Sequence, residues 1–326
     1  ENARGPPLSH ADRRLLGDLR QRLGLLRRHV EHDAVARQLE LVGHQAHERL
    51  AEQRFGDEFD RVYTRGGSEA PLELREGAHH SGNWGGLLRN PGIRLAHAIA
   101  SLVDAQGRIR VAGLLPDQLP DNVRQALRGM QVGGGEGDPA VDADWGEPGL
   151  TPAERVFGWN TLEVLAFKTG NPEAPVNAIP GRAQAHCQIR YVVGTDDTRF
   201  LQVLRQHLDE HGFTDVSVSP SGPLMEATRL DPDDAWVHWA MASIERSTGQ
   251  APTLLPNLGG TLPNDVFAHT LGLPTLWVPH SHPACAQHAP NEHLLGSVAR
   301  QALQLMAGLF WDLGEPAARE AAWAPR

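Results

Sequence analysis

The chain has almost no lysine, little cysteine or tyrosine, and no long apolar run. Lys168 is the single lysine among 30 Lys and Arg residues, a bias that reads as genomic base composition rather than chemistry. Two cysteines, Cys187 and Cys285, are too few for a disulfide framework. No apolar stretch approaches the roughly 18 residues that span a bilayer, and the start lacks the charged-then-apolar pattern of a secretion signal. These absences predict a cytoplasmic protein with no membrane partner. A net charge of -10 argues against a general nucleic-acid binder, which needs a basic face. It leaves room for a locally basic pocket.

The 326 residues suffice for one large domain or two ordinary ones, and no internal repeat is visible. Residues 1–64 stand apart. Ser9 with Asp12 resembles a helix cap, and Leu16, Leu19, Leu23, Leu26 and Val30 then fall on one stripe. The segment reads as helical, its stripe a packing face.

From Arg65 the pattern turns to strands and helices. Residues 70–76 read as a strand. Asn90-Pro91 opens a helix carrying Ile93, Leu95, Ile99 and Leu102. Residues 113–157, rich in Gly, Pro and Asp, read as a surface insertion with a short helix over 122–130. Strands follow over 161–168 and 183–193. In the second, Ala183, Ala185, Cys187, Ile189 and Tyr191 share one face, while Gln184, His186, Gln188 and Arg190 share the other. A helix with Phe200, Leu201, Leu204 and Leu208, then a strand over 215–219, complete a βαββαβ order, which is ferredoxin-like. After Pro223 the spacing predicts ordinary α/β structure: helices over 234–247, 265–271 and 291–313, and strands over 253–256 and 275–278.

Four motifs carry chemistry. His280, His282, Cys285, His288 and His293 crowd into 14 residues after an apolar run, donors that suit zinc; a polar exposed loop is the alternative. His79-His80-Ser81-Gly82-Asn83-Trp84-Gly85-Gly86 is a turn whose glycines let a backbone approach closely. Asn177-Ala178-Ile179-Pro180 precedes the strand that ends in Arg190, and an arginine beside an amide suits a carboxylate. A surface ion pair is the plainer reading of Arg190. Gly259-Gly260-Thr261 precedes a helix, where backbone N–H groups can hold an anion. One decoy is excluded: His207 and Asp209 lie about 200° apart around a helix and cannot share a metal.

In this order the four motifs resemble the zinc metallopeptidase and amidohydrolase superfamily of aminoacylases, carboxypeptidase G, carnosinase-like dipeptidases and succinyl-diaminopimelate desuccinylase. The resemblance runs from Arg65 to Glu315. It implies a ferredoxin-like lid and dimerisation domain over 65–222, inserted before the C-terminal part of an α/β catalytic domain over 223–326. It also implies hydrolysis of amide bonds in small peptides or N-acyl amino acids, with two zinc ions, cobalt and manganese being the alternatives, and a homodimer through the lid. Position by position, His288 is a terminal metal ligand and His80 reaches across the dimer to stabilise the oxyanion. Asn177 and Arg190 hold the substrate's carboxylate or amide, Gly260 and Thr261 line its pocket, and Arg65 is a further contact. The family's upstream His-x-Asp, bridging Asp and Glu-Glu pair have no recognisable counterpart in residues 1–64. The expectation is therefore a chain incomplete for catalysis by itself; the alternative is a non-catalytic dimerisation module.

Overall fold

The computed structural model describes residues 67–135, 138–220, 226–259, 263–280, 285 and 290–315. The helical stripe expected between Leu16 and Val30 lies outside them. The described residues divide into two compact units. One takes in the described parts of Arg61–Pro232 with Leu254–Leu276, the other Asp233–Thr253 and the described part of Trp277–Arg326.

The first unit contains, in chain order, β1 (Gly67–Glu73), β2 (His79–His80), α1 (Ser81–Trp84) and α2 (Pro91–Leu102), then α3 (Asp121–Ala126) and α4 (Pro152–Phe157). It continues with β3 (Thr161–Thr169), β4 (Ala178–Ile179), β5 (Arg182–Arg190), α5 (Phe200–Glu210) and β6 (Ser219–Pro220). β1, β3, β5 and β6 form one sheet in the order β3-β5-β1-β6, antiparallel throughout. With α2 and α5 as the crossovers, this is the ferredoxin-like βαββαβ fold that the alternation predicts.

The pleat explains the burial. Ala183, Ala185, Cys187 and Ile189 of β5 face the helices and are buried, together with Leu72 of β1 and Leu162 of β3. Leu95, Ala98 and Leu102 of α2 meet Phe200, Leu204 and Leu208 of α5 over them as a single core. Small residues at 183 and 185 let the helices approach, while the leucines supply most of the apolar area, each worth about 1.5–3 kcal/mol on full burial. Asn90 caps α2, its Oδ1 accepting the Gly92 and Ile93 N–H groups at 2.9 and 3.3 Å, and Pro91 needs no such partner. Arg94 then ties α2 to the turn after α5 through both oxygens of Asp215. Burial raises the Cys187 thiol to about 11, so this cysteine behaves as a core residue.

The 113–157 segment has its own small core, in which Leu119 and Val123 pack with Leu127 and Ala153. α4 starts at a capping box: Thr151 Oγ1 accepts the Glu154 N–H at 3.2 Å and Glu154 Oε2 accepts the Thr151 N–H at 2.7 Å.

In the second unit α6 (Ala235–Thr248) packs on α7 (Gly296–Leu313). The fit is close: Gly308 of α7 faces Ser247 of α6, and any Cβ at 308 would collide with the Ser247 hydroxyl. Arg246 Nη2 reaches Asp312 Oδ2 at 2.7 Å.

One expectation is corrected. Residues 253–256 and 275–278 form no strand; an apolar run becomes a strand only where neighbours take up its N–H and C=O groups. Among the described residues β5 is paired on both sides, to β3 and to β1, which leaves β3 as the edge of the sheet next to it.

Candidate functional site

His80 owes its position to a ribbon only two residues long. β2 pairs antiparallel with β4, His79 opposite Ile179 and His80 opposite Ala178. The turn that follows is locked to the neighbouring motif, because the Ser81 N–H and Oγ both donate to the Asn177 carbonyl, at 2.9 and 3.1 Å. The His80 and Asn177 motifs, nearly a hundred residues apart in sequence, thus meet in space. Both residues are exposed.

His80 is also oriented. Its Nδ1 accepts the Gly82 N–H at 3.1 Å. The neutral ring must then carry its proton on Nε2, which is a donor. Position 82 has to be glycine for this: a Cβ there would lie 2.8 Å from His80 Cε1. Gly181, between β4 and β5, is similarly constrained, since a Cβ would run into the carbonyl oxygens of Arg75 and Gly77. The chain leading into the His80 ribbon is thereby held against the start of β5.

Arg190 ends β5 on the face away from the helices. Its Nη1 donates to the Gly259 carbonyl, which brings the strand and the glycine turn together. The neighbouring chain is pinned too: Asn257 Nδ2 donates to the Phe157 carbonyl at 2.5 Å, and Asn264 Nδ2 to Thr228 and Thr275 Oγ1 at 2.6 and 3.1 Å. Next to Arg190, Tyr191 donates its hydroxyl to Asp197 Oδ2 at 2.8 Å. Burial, then this bond, push the phenol well above its ordinary range, so it stays protonated.

The sequence-predicted residues therefore fall in two places. His80 and Asn177 lie at the Arg182 end of β5; Arg190 and Gly259 lie at the other end. Nine residues of antiparallel strand span roughly 27 Å at about 3.4 Å per step. Gly260, Thr261, His288 and Arg65 lie outside the described residues. Of the histidine-rich loop, Cys285 is buried and its carbonyl accepts the His293 N–H at 3.0 Å. Among the described residues no three His, Cys, Asp or Glu side chains converge to hold a metal ion. The short ribbon, Gly181 and Gly259 were not singled out as positioning elements from sequence, although the glycines themselves were visible.

Residues 62–216 match the family model described as a peptidase dimerisation domain. No curated protein sequence matches the chain. Solved structures with the same fold include an M20 family metallo-carboxypeptidase from Sulfolobus solfataricus, 23% identical with a TM-score of 0.63 over 76% of this chain and 57% of that one. Human carnosine dipeptidase 1 is 20% identical, with a TM-score of 0.58 over 77% and 55%. A di-peptidase from Saccharomyces cerevisiae is 18% identical, with a TM-score of 0.57 over 77% and 54%. The chain thus spans a little over half the length of these proteins.

Proposed function

We propose, from the match of residues 62–216 to a peptidase dimerisation domain and the fold shared with an M20 family metallo-carboxypeptidase, that the chain serves a metal-dependent hydrolase of amide bonds in small peptides or N-acyl amino acids. Its part is to bind substrate and stabilise the oxyanion across a homodimer. Arg190 supplies a fixed guanidinium for the substrate's carboxylate. The Asn177 amide pairs with the substrate's polar groups. His80 offers its Nε2 proton to the oxygen on which charge develops, where a preorganised donor is worth about 2.7–4 kcal/mol. When bound, zinc, cobalt or manganese would supply the Lewis acid and the activated water. The ligand expected from the resemblance, His288, lies outside the described residues.

The separation along β5 carries the reading. A dipeptide or N-acyl amino acid is far shorter than 27 Å, so one lid cannot present His80 and Arg190 to the same molecule. Two lids related by a two-fold axis can, each giving His80 and Asn177 to a site where the other gives Arg190. The free edge of β3 suits such pairing. Val164, Leu165 and Phe167 are 42%, 57% and 42% exposed there, an apolar edge that asks for a cover. The bulge between Val164 and Ala166 restricts which strand can add to it.

The test mixes two variants, His80→Ala and Arg190→Ala, after subunit exchange. The ligand is a phosphinate dipeptide analogue, a tetrahedral anion bearing a carboxylate. Each variant by itself should lose binding, and the mixture should regain about a quarter of the wild-type sites, because half the dimers are mixed and each has one intact site. No recovery on mixing, or a monomer by light scattering at micromolar concentration, overturns the proposal.

A further inference from the structure

The last turn of α5 and the residue that follows it carry two histidines that the reading above leaves unused. His207 and His211 are four residues apart and therefore lie one above the other on the helix surface. Their rings stack, with centroids 4.0 Å apart and planes 24° from parallel.

The surrounding hydrogen bonds fix the proton on each ring. Ser101 Oγ, on α2, donates to the Ala98 carbonyl at 2.7 Å, so it meets His207 Nε2, 3.2 Å away, as an acceptor. His207 therefore carries its proton on Nε2 and a lone pair on Nδ1. His211 Nδ1 lies 2.8 Å from the His207 carbonyl oxygen, which can only accept. Its proton is on Nδ1 and its lone pair on Nε2. Each ring thus donates one N–H to an orienting oxygen and keeps the other nitrogen available. That is how proteins prepare histidines as metal ligands: the outer hydrogen bond fixes tautomer and ring angle, and the free nitrogen takes the ion.

The surroundings agree. The negative end of the α5 dipole favours a cation at this turn. The neighbouring carboxylates are engaged: Asp209 with Arg205 at 2.7 Å, and Glu210 with the Gln206 amide at 2.8 Å. Burial, then the proximity of His211, lower the pKa of His207, which favours the neutral ring that a metal requires.

We propose that His207 and His211 form a two-histidine chelate for a late first-row divalent metal ion, completed by water. Two imidazole nitrogens with water oxygens is a donor set that copper(II) and nickel(II) accept in tetragonal geometry, and copper(II) binds tighter. Nitrogens each about 2 Å from one ion stand roughly 3 Å apart. The ion must lie in the plane of each ring, so the rings, stacked with centroids 4.0 Å apart, open out of the stack as it binds. His207 keeps its Ser101 contact while Nδ1 ligates.

Calorimetric titration of the full chain with copper(II), and with nickel(II), tests this. His207→Ala and His211→Ala should each remove one metal equivalent or weaken it at least tenfold, while His288→Ala leaves that equivalent in place. Ser101→Ala keeps both ligands but frees the tautomer, and should weaken the same equivalent about tenfold. Circular dichroism of the variants separates loss of binding from loss of fold. Unchanged stoichiometry and affinity in folded His207→Ala and His211→Ala overturns the proposal, as does loss of that same equivalent in His288→Ala.

Discussion

Replacing Asp215 by asparagine should cost the lid about 2 kcal/mol at neutral pH, and almost nothing in acid. The Arg94 guanidinium grips both carboxylate oxygens, Nε at 3.1 and 3.0 Å and Nη2 at 2.8 Å. Nη2 also donates to the Gly212 carbonyl, and the guanidinium lies 4.8 Å from the Phe213 ring. The two side chains are only 26% and 18% exposed, so the pair is partly shielded from water. Charged hydrogen bonds of this kind contribute about 1.5–3 kcal/mol. The bonds share one pair of groups and are not additive, and asparagine keeps one acceptor, so the loss settles near 2. Arg89, 3.4 Å away but 70% exposed, adds little. The hydrogen bond from Arg94 holds the Asp215 pKa below its ordinary 3.8, against the opposing pull of burial. With the folded pKa depressed, this stability is fully present above about pH 4 and is lost as pH falls through the folded value. Urea unfolding of wild type and variant at pH 7, repeated stepwise towards pH 2, measures both effects. A difference under about 0.5 kcal/mol at pH 7, or one that persists unchanged in acid, refutes the reasoning.

Leu95→Ala, which empties a fully buried position between α2 and the sheet, should cost about 2–5 kcal/mol in the same unfolding assay. Gly181→Ala forces a methyl against the Arg75 and Gly77 carbonyls, so hydrogen exchange should speed up at the His79 and Ser81 amides, with the α5 amides unaffected. Leu165→Asp, on the exposed edge of β3, should shift the chain from dimer to monomer in sedimentation without changing its helix content. The 326 residues by themselves should hydrolyse dipeptides and N-acyl amino acids far more slowly than the roughly 10 per second of an ordinary enzyme, with zinc, cobalt or manganese supplied. Turnover within tenfold of that rate would show that residues 1–64 hold a general base and metal ligands.

The βαββαβ unit was legible because its elements announce themselves locally. β5 alternates small apolar with polar residues, and α2 and α5 bear stripes that close over it. The strands expected over 253–256 and 275–278 were not decidable in this way. An apolar tetrapeptide has the same composition whether or not a ladder forms beside it, and here none does. α4 was legible in principle, since Thr151-Pro152-Ala153-Glu154 is a capping box in plain view, yet the Gly- and Pro-rich flanks hid it. The His79–His80 ribbon was beyond reach, because two residues have no period.

The site shows the same division. The motifs His80-Ser81-Gly82, Asn177 and Arg190 could be named from sequence, but a linear motif says nothing about which end of a strand it will occupy. That information resides in β4 and Gly181, which turn the chain so that His80 docks at the start of β5, and in the Gly259 carbonyl, which receives Arg190 at its end. Had both groups stood at one end, a single lid would suffice and dimerisation would be incidental to binding. With the length of β5 between them, the proposed function requires that a ligand as small as an N-acyl amino acid draw its oxyanion donor and its carboxylate anchor from different chains. On that proposal the apolar β3 edge belongs to the site as much as Arg190 does, because without a second lid the two groups do not meet.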